Sequence, residues 1–114
     1  MGYRSQVVLA VGPEKIGHLL TMLSTNQQAL QMFQQGLIAG KKDYMQEGDL
    51  LLVWRDIKWY TSYDCVGVFA EFIDSCLDED DEQFRFVRVG EEPDDIKVLG
   101  EYSYDVYPAT DIVY

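Results

Sequence analysis

Residues Leu50–Tyr60 read LLLVWRDIKWY, and how this stretch divides decides the fold. Leu50-Leu51-Leu52-Val53-Trp54 is a continuous apolar run bounded by Gly48-Asp49 and Arg55-Asp56. That is the pattern of a strand buried on both faces at the centre of a sheet. Ile57-Lys58-Trp59-Tyr60 resumes after the charged pair and reads as a returning hairpin partner. Arg55-Asp56 lacks the glycine that a tight two-residue turn prefers, so a looser connection is expected.

Upstream, Tyr3–Val11 is rich in strand formers and ends at Gly12-Pro13. Pro13 suits a first helical position and Glu14 adds negative charge to the first turn. Ile16, Leu19, Leu20 and Leu23 then recur at helical spacing. Ser24-Thr25-Asn26 interrupts the pattern, and Ala29, Leu30, Phe33 and Leu37 resume it. Two helices, or one kinked one, therefore end between Gly36 and Gly40. Downstream, Thr61 or Ser62 can cap a helix whose apolar face is Val66, Phe69, Ala70, Ile73, Cys76 and Leu77. It stops at the acid run Asp78–Glu82, because acids at a helix C-terminus oppose the macrodipole.

Gln83–Val89 (QFRFVRV) alternates as a strand that Gly90 ends, and Glu91–Asp95 reads as a loop. Tyr102, Tyr104 and Val106 form one side of a last strand ended by Pro108. The segment Asp111–Tyr114 is a tail able to add edge pairing. Without that last strand the order is βαββαβ. The expected fold is a single α+β domain over residues 1–114, with a mostly antiparallel sheet and helices on one face. This is the ferredoxin-like arrangement with an extra C-terminal strand.

The 114 residues are 47% apolar and 13% aromatic, enough for one packed core and too much for whole-chain disorder. No apolar run approaches the ~18 residues of a membrane span. The start MGYRSQ resembles neither a signal peptide nor, with Gln6 at its sixth position, a myristoylation signal. A cytoplasmic protein is expected. Cys65 and Cys76 fall in one helix about 16 Å apart at ~1.5 Å per residue, too far for a disulfide. With His18 as the single histidine and no CxxC, a structural zinc site has no support.

Charge is the strongest signal. The net charge is −11, and acids and bases cancel over residues 1–70. The whole excess therefore lies in the last 44 residues, where Arg85, Arg88 and Lys97 are the only cations. Such a field repels phosphate backbones and anionic membranes and attracts basic surfaces. Direct nucleic-acid or membrane binding is not expected, and a protein partner with a basic surface is. The residues expected to carry that contact are Asp78, Glu79, Asp80, Asp81, Glu82, Glu91, Glu92, Asp94 and Asp95, with Tyr102 and Tyr104 as anchors. The same acids read equally well as a solvated rim that keeps the protein soluble.

Other chemistry is weaker. The acid segments lack the EF-hand pattern, so no metal site or cofactor is predicted. Arg85 and Arg88 suit salt bridges within the acidic half, and the sharper alternative is a small-molecule or nucleotide pocket built on them. His18 lies beside the Leu19/Leu20 face with no Ser or Cys placed next to it by spacing, so triad chemistry is not expected. Carboxylates are too abundant for a carboxylate-pair or Mg²⁺-dependent activity to be read from them. Trp54, Trp59, Phe69, Phe84 and Phe86 read first as core. No GxGxxG or Walker loop is present.

Two segments, Met1-Gly2-Tyr3-Arg4-Ser5 and Phe86-Val87-Arg88-Val89-Gly90-Glu91-Glu92-Pro93-Asp94-Asp95-Ile96, resemble small acidic proteins of bacteriophages and prophages. They cover about 16 of the 114 residues. The resemblance implies a viral accessory protein, acting in the host cytoplasm, and carries over no catalytic residues. Arg4, Arg88 and Asp95 are hinges of the resemblance in either a structural or a functional sense. The resulting expectation is a non-enzymatic inhibitor, similar to anti-CRISPR proteins, that occludes the basic surface of a host defence or nucleic-acid-handling machine. A small-molecule binder using Arg85 and Arg88 is the alternative, and a homodimer paired through the last strand is left open.

Overall fold

A computed structural model describes residues 3–37, 49–60, 62–78, 84–92, 94–100, 107–108 and 112–113. The chain order is β1 (Ser5–Val11), α1 (Pro13–Leu23), α2 (Gln27–Gly36), β2 (Leu50–Ile57), α3 (Asp64–Asp78), β3 (Phe84–Val89), β4 (Ile96–Gly100), β5 (Tyr107–Pro108) and β6 (Ile112–Val113). The first four strands form one sheet in the order β2-β1-β3-β4, and every pairing in it is antiparallel. β5 and β6 pair separately as a short antiparallel ribbon. The α+β class and the antiparallel sheet are as expected from the sequence. The order of elements is not βαββαβ.

Arg55-Asp56 causes the difference. These residues lie within β2, where two steps along β1, Ser5 to Val7, oppose three along β2, Ile57 to Trp54. The charged pair is thus a β-bulge in an outer strand and not a turn between two strands. Both residues are exposed, so the bulge buries no charge. The segment after it leaves the sheet, and Trp59 packs against Trp54, Phe69 and Phe86 instead of returning in a hairpin.

The central position expected for Leu50–Trp54 belongs to β1. Val7, Leu9 and Val11 face the helices and Val8 and Ala10 the opposite side, all of them buried. β2 is the outer neighbour, partly covered where Leu37, just after α2, bridges to Leu52.

The main core lies between the helices and one face of the sheet. Leu19 and Leu23 from α1, Ala29 from α2, and Phe69, Phe72, Ile73 and Cys76 from α3 pack on Leu9, Leu52, Trp54, Phe84 and Phe86. Fully burying each large side chain contributes about 1.5–3 kcal/mol. Leu77, expected on this face, is 43% exposed and Phe72 takes the inward position. Pro13 opens α1, and Asn26 caps α2 by accepting a hydrogen bond from the Ala29 N–H at 3.0 Å, so the helices are two. Cys65 and Cys76 form no disulfide. Val8, Ala10, Leu51 and Val87 make a smaller cluster on the other face, closed by Ile112 of β6. The Ile112 N–H donates to Gln6 Oε1 at 2.9 Å, tying the ribbon down.

β4 follows the expected loop Glu91–Asp95 and is a strand that the sequence reading did not assign. Its last residue, Gly100, has φ +80°, and a Cβ there would run into the Phe84 carbonyl oxygen, so glycine is required. No helix of the described residues is long and apolar enough to cross a membrane. The expected strand over Tyr102–Val106 lies outside the described residues.

Candidate functional site: a braced aromatic cleft

Strand parity assigns side chains to faces before any contact is considered. On β3, Phe84, Phe86 and Arg88 face the helices, while Arg85, Val87 and Val89 face away. β4 follows in register, with Leu99 beside Phe86 and Lys97 beside Arg88. Ser5 of β1 shares the helix-facing side with Val7 and Leu9. Where α1 and α2 no longer cover this side, it opens into a cleft of about 520 Å³ between α3 and the β3–β4 hairpin. That volume lies within the range of small-molecule sites.

Phe86, Leu99 and Trp59 line the apolar part with Ala70 and Ile73 of α3. Asp74, one residue beyond Ile73, is exposed and adds a carboxylate to the rim. Tyr3, Ser5, Tyr60, Ser62, Arg88, Asp95 and Lys97 supply the remaining polar groups.

One end of the rim is held by a hydrogen-bonded brace. The two terminal nitrogens of Arg88 donate to the two oxygens of Asp95 at 2.7 and 3.1 Å, a bidentate pair. The Tyr3 hydroxyl donates to Asp95 Oδ2 at 2.5 Å and accepts from the Glu92 N–H at 3.1 Å. Arg88 also reaches Ser5 Oγ at 3.4 Å, and the Tyr3 N–H donates to the Tyr60 hydroxyl at 2.5 Å. The start of the chain, β3, the hairpin turn and the loop before α3 are thereby joined.

Gly90 makes room for the brace, since a Cβ would strike both Asp95 Oδ2 and the Tyr3 hydroxyl. The Arg88 hydrogen bonds, followed by that from Tyr3, lower the Asp95 carboxyl from 3.8 to about 2. The Tyr3 phenol is raised, chiefly because its proton is held by Asp95.

The residues singled out in the sequence therefore separate. Arg85 and Arg88 lie on opposite faces of the sheet and do not build one pocket. Arg85 donates to the Gly100 carbonyl at 3.0 Å, and Arg88 is engaged by Asp95. Glu91, Glu92 and Asp94 are exposed on the β3–β4 turn, where Glu91 accepts from the Arg4 N–H at 3.2 Å. Asp95 is half-buried in the brace and presents no free carboxylate. Asp78 ends α3, while Glu79, Asp80, Asp81, Glu82, Tyr102 and Tyr104 lie outside the described residues. Arg4 pairs with Asp56 at 3.9 Å.

The sequence reading missed Tyr3, Trp59, Asp74 and Lys97 as one group. The available signal was the two-residue parity joining Phe86 to Arg88. What it lacked was β4, without which Lys97 has no place. His18 is exposed on α1, as expected, and Ser75 of α3, distant in sequence, comes within 3.2 Å of its Nε2. The Ser75 hydroxyl donates to the Phe72 carbonyl at 2.7 Å, so its proton is already used by the backbone. No group of three His, Cys, Asp or Glu side chains among the described residues could hold a metal ion. Comparisons with family models, curated proteins and solved structures return no match for the chain.

Proposed function

We propose that this protein is a small-molecule-binding module whose site is the cleft between α3 and the β3–β4 hairpin. The observation that carries this reading is the coincidence of an aromatic-lined cleft of about 520 Å³ with a pre-organised polar rim. The brace through Tyr3, Arg88 and Asp95 satisfies its own members, so the rim is held in place before a ligand arrives. Binding then has less side-chain ordering to overcome. Arg88 is a positioning residue in this reading and not the ligand's partner.

The test is a fragment screen followed by amide and indole NMR shifts. Cleft binders are expected to move the Trp59 indole N–H and the amides of Ala70, Phe86 and Leu99. Ala70→Leu, which fills the cleft from α3, should abolish those shifts while leaving the fold intact. Fragments that bind elsewhere, or none that bind, would overturn the reading.

A second reading is favoured by a separate observation, the exposure of Glu91, Glu92 and Asp94 together on one turn of a chain with net charge −11. In it the turn docks on the basic surface of a partner protein, as an inhibitor of a host defence or nucleic-acid-handling machine would. Charge complementarity of this kind speeds encounter and is sensitive to salt.

A further inference from the structure

Two charges on the rim remain outside the brace. Lys97 and Asp74 both line the cleft, and neither makes an ion pair among the described residues. Lys97 is also the cross-strand neighbour of Arg88 on the same face. Both Asp95 oxygens are engaged by Arg88, so the nearest braced carboxylate is not the Lys97 ammonium's partner. Asp74 stands on the α3 side, beyond the apolar surface formed by Ala70 and Ile73.

From this arrangement we infer that the cleft recognises a small aromatic zwitterion. Its carboxylate pairs with Lys97, its ammonium pairs with Asp74, and its ring lies against Trp59 and Phe86. The inference rests on the cleft being a ligand site and adds the class of ligand.

Charge selects the zwitterion over simpler ions. A bare anion would satisfy Lys97 but would enter against the field of a chain with net charge −11 and face Asp74 unpaired. A bare cation would be drawn by that field but would sit beside Lys97 as a like charge, Arg88 being neutralised by Asp95. A neutral molecule carrying both charges avoids each penalty and engages both free groups. The aromatic part follows from the lining, where Trp59 and Phe86 are ring neighbours with centroids 5.8 Å apart.

L-tryptophan, tryptamine and indole-3-propionate are suitable probes because they share the indole and differ in charge. Calorimetric titration of the full chain should show L-tryptophan binding at least about tenfold more tightly than either single-charge analogue, roughly 1.4 kcal/mol. Lys97→Met should erase the preference over tryptamine, and Asp74→Asn the preference over indole-3-propionate. Both substitutions are at solvent-exposed rim positions, and an unchanged melting temperature confirms that folding is intact. Either analogue matching L-tryptophan on the unaltered protein would overturn the inference. So would Lys97→Met leaving the preference intact. Indole-bearing probes that shift the cleft amides without charge preference would sink the zwitterion alone. The absence of cleft shifts with every fragment and probe would sink the binding site as well.

Discussion

The helix-facing side of the sheet has two ends built on the same alternation, one closed and one open. At the closed end α2 lies against β2. Gly36 stands so near the Trp54 indole that a Cβ would come within 2.6 Å of the ring. The indole N–H donates to the Met32 carbonyl at 3.0 Å, and Trp54 is 7% exposed. At the open end α3 meets the β3–β4 hairpin, and Trp59 is only half-buried. Both ends place a tryptophan near Phe69, with ring centroids 5.3 and 6.0 Å away. The difference is what fills the remaining space. A helix without a side chain at Gly36 lets one indole seat fully, whereas the other end carries a polar brace at its rim. Apolar residues alone do not distinguish core from cleft; the polar groups around them do.

The largest effects are expected at the closed end. Trp54→Ala should destabilise the fold by about 3–5 kcal/mol, the range for truncating a large buried aromatic, measured by urea unfolding. Gly36→Ala sets two terms against each other. Replacing glycine in a helix gains up to about 1 kcal/mol, while forcing atoms into a packed site costs about 1–3 kcal/mol. The indole is pinned by its hydrogen bond to Met32, so the clash wins and a net loss is expected. A gain would mean that the closed end is looser than its geometry implies.

At the open end the effect should depend on pH. Arg88 and Tyr3 hold the Asp95 carboxyl at about 2, below its ordinary 3.8. A carboxyl with a lowered folded-state value stabilises fully above its unfolded value and loses that contribution as the pH falls through the folded one. Asp95→Asn should therefore lower the melting temperature at neutral pH, and the gap to the unaltered protein should shrink between about pH 4 and pH 2. A gap independent of pH would show that the ionised brace does not carry the difference. Trp54→Ala should give no such convergence, which separates the two ends experimentally.

The legibility of the two ends in the sequence follows the same division. Pro13, the break before Gln27, and the apolar periods of α1 and α3 are local signals, and each marks its element correctly. The bulge at Arg55-Asp56 is not local, because a charged pair between apolar residues looks alike whether the chain turns or continues. Only pairing with β1 decides it. β4 was missed for a related reason. Ile96 and Val98 face away from the helices and are 43% and 39% exposed, so an outer strand with little burial carries a weak pattern. The cleft needs both features, since its walls are the segment after the bulge and the strand after the turn. Arg88 and Asp95 were visible as residues, but their bidentate pairing depends on the hairpin that brings them together.

The smallest effect on stability is expected on the β3–β4 turn, and it sharpens the distinction between cleft and acidic surface. Glu91, Glu92 and Asp94 are exposed, and only Glu91 accepts a hydrogen bond among the described contacts of their side chains, from the Arg4 backbone. Substituting all three by Gln, Gln and Asn removes like charges from one turn and leaves the Asp95 brace untouched. Exposed positions of this kind change stability by no more than about 0.5 kcal/mol each. Ligand binding in the cleft should likewise persist. If the turn docks on a basic partner, an association seen at low salt should fall both in this variant and in high salt, where the screening length drops to about 3 Å. An association that survives both changes would place the contact away from the turn. A variant that loses cleft binding would mean that the turn and the cleft act as one site, because the brace fastens the turn at Glu92 and Asp95 to the rim at Tyr3.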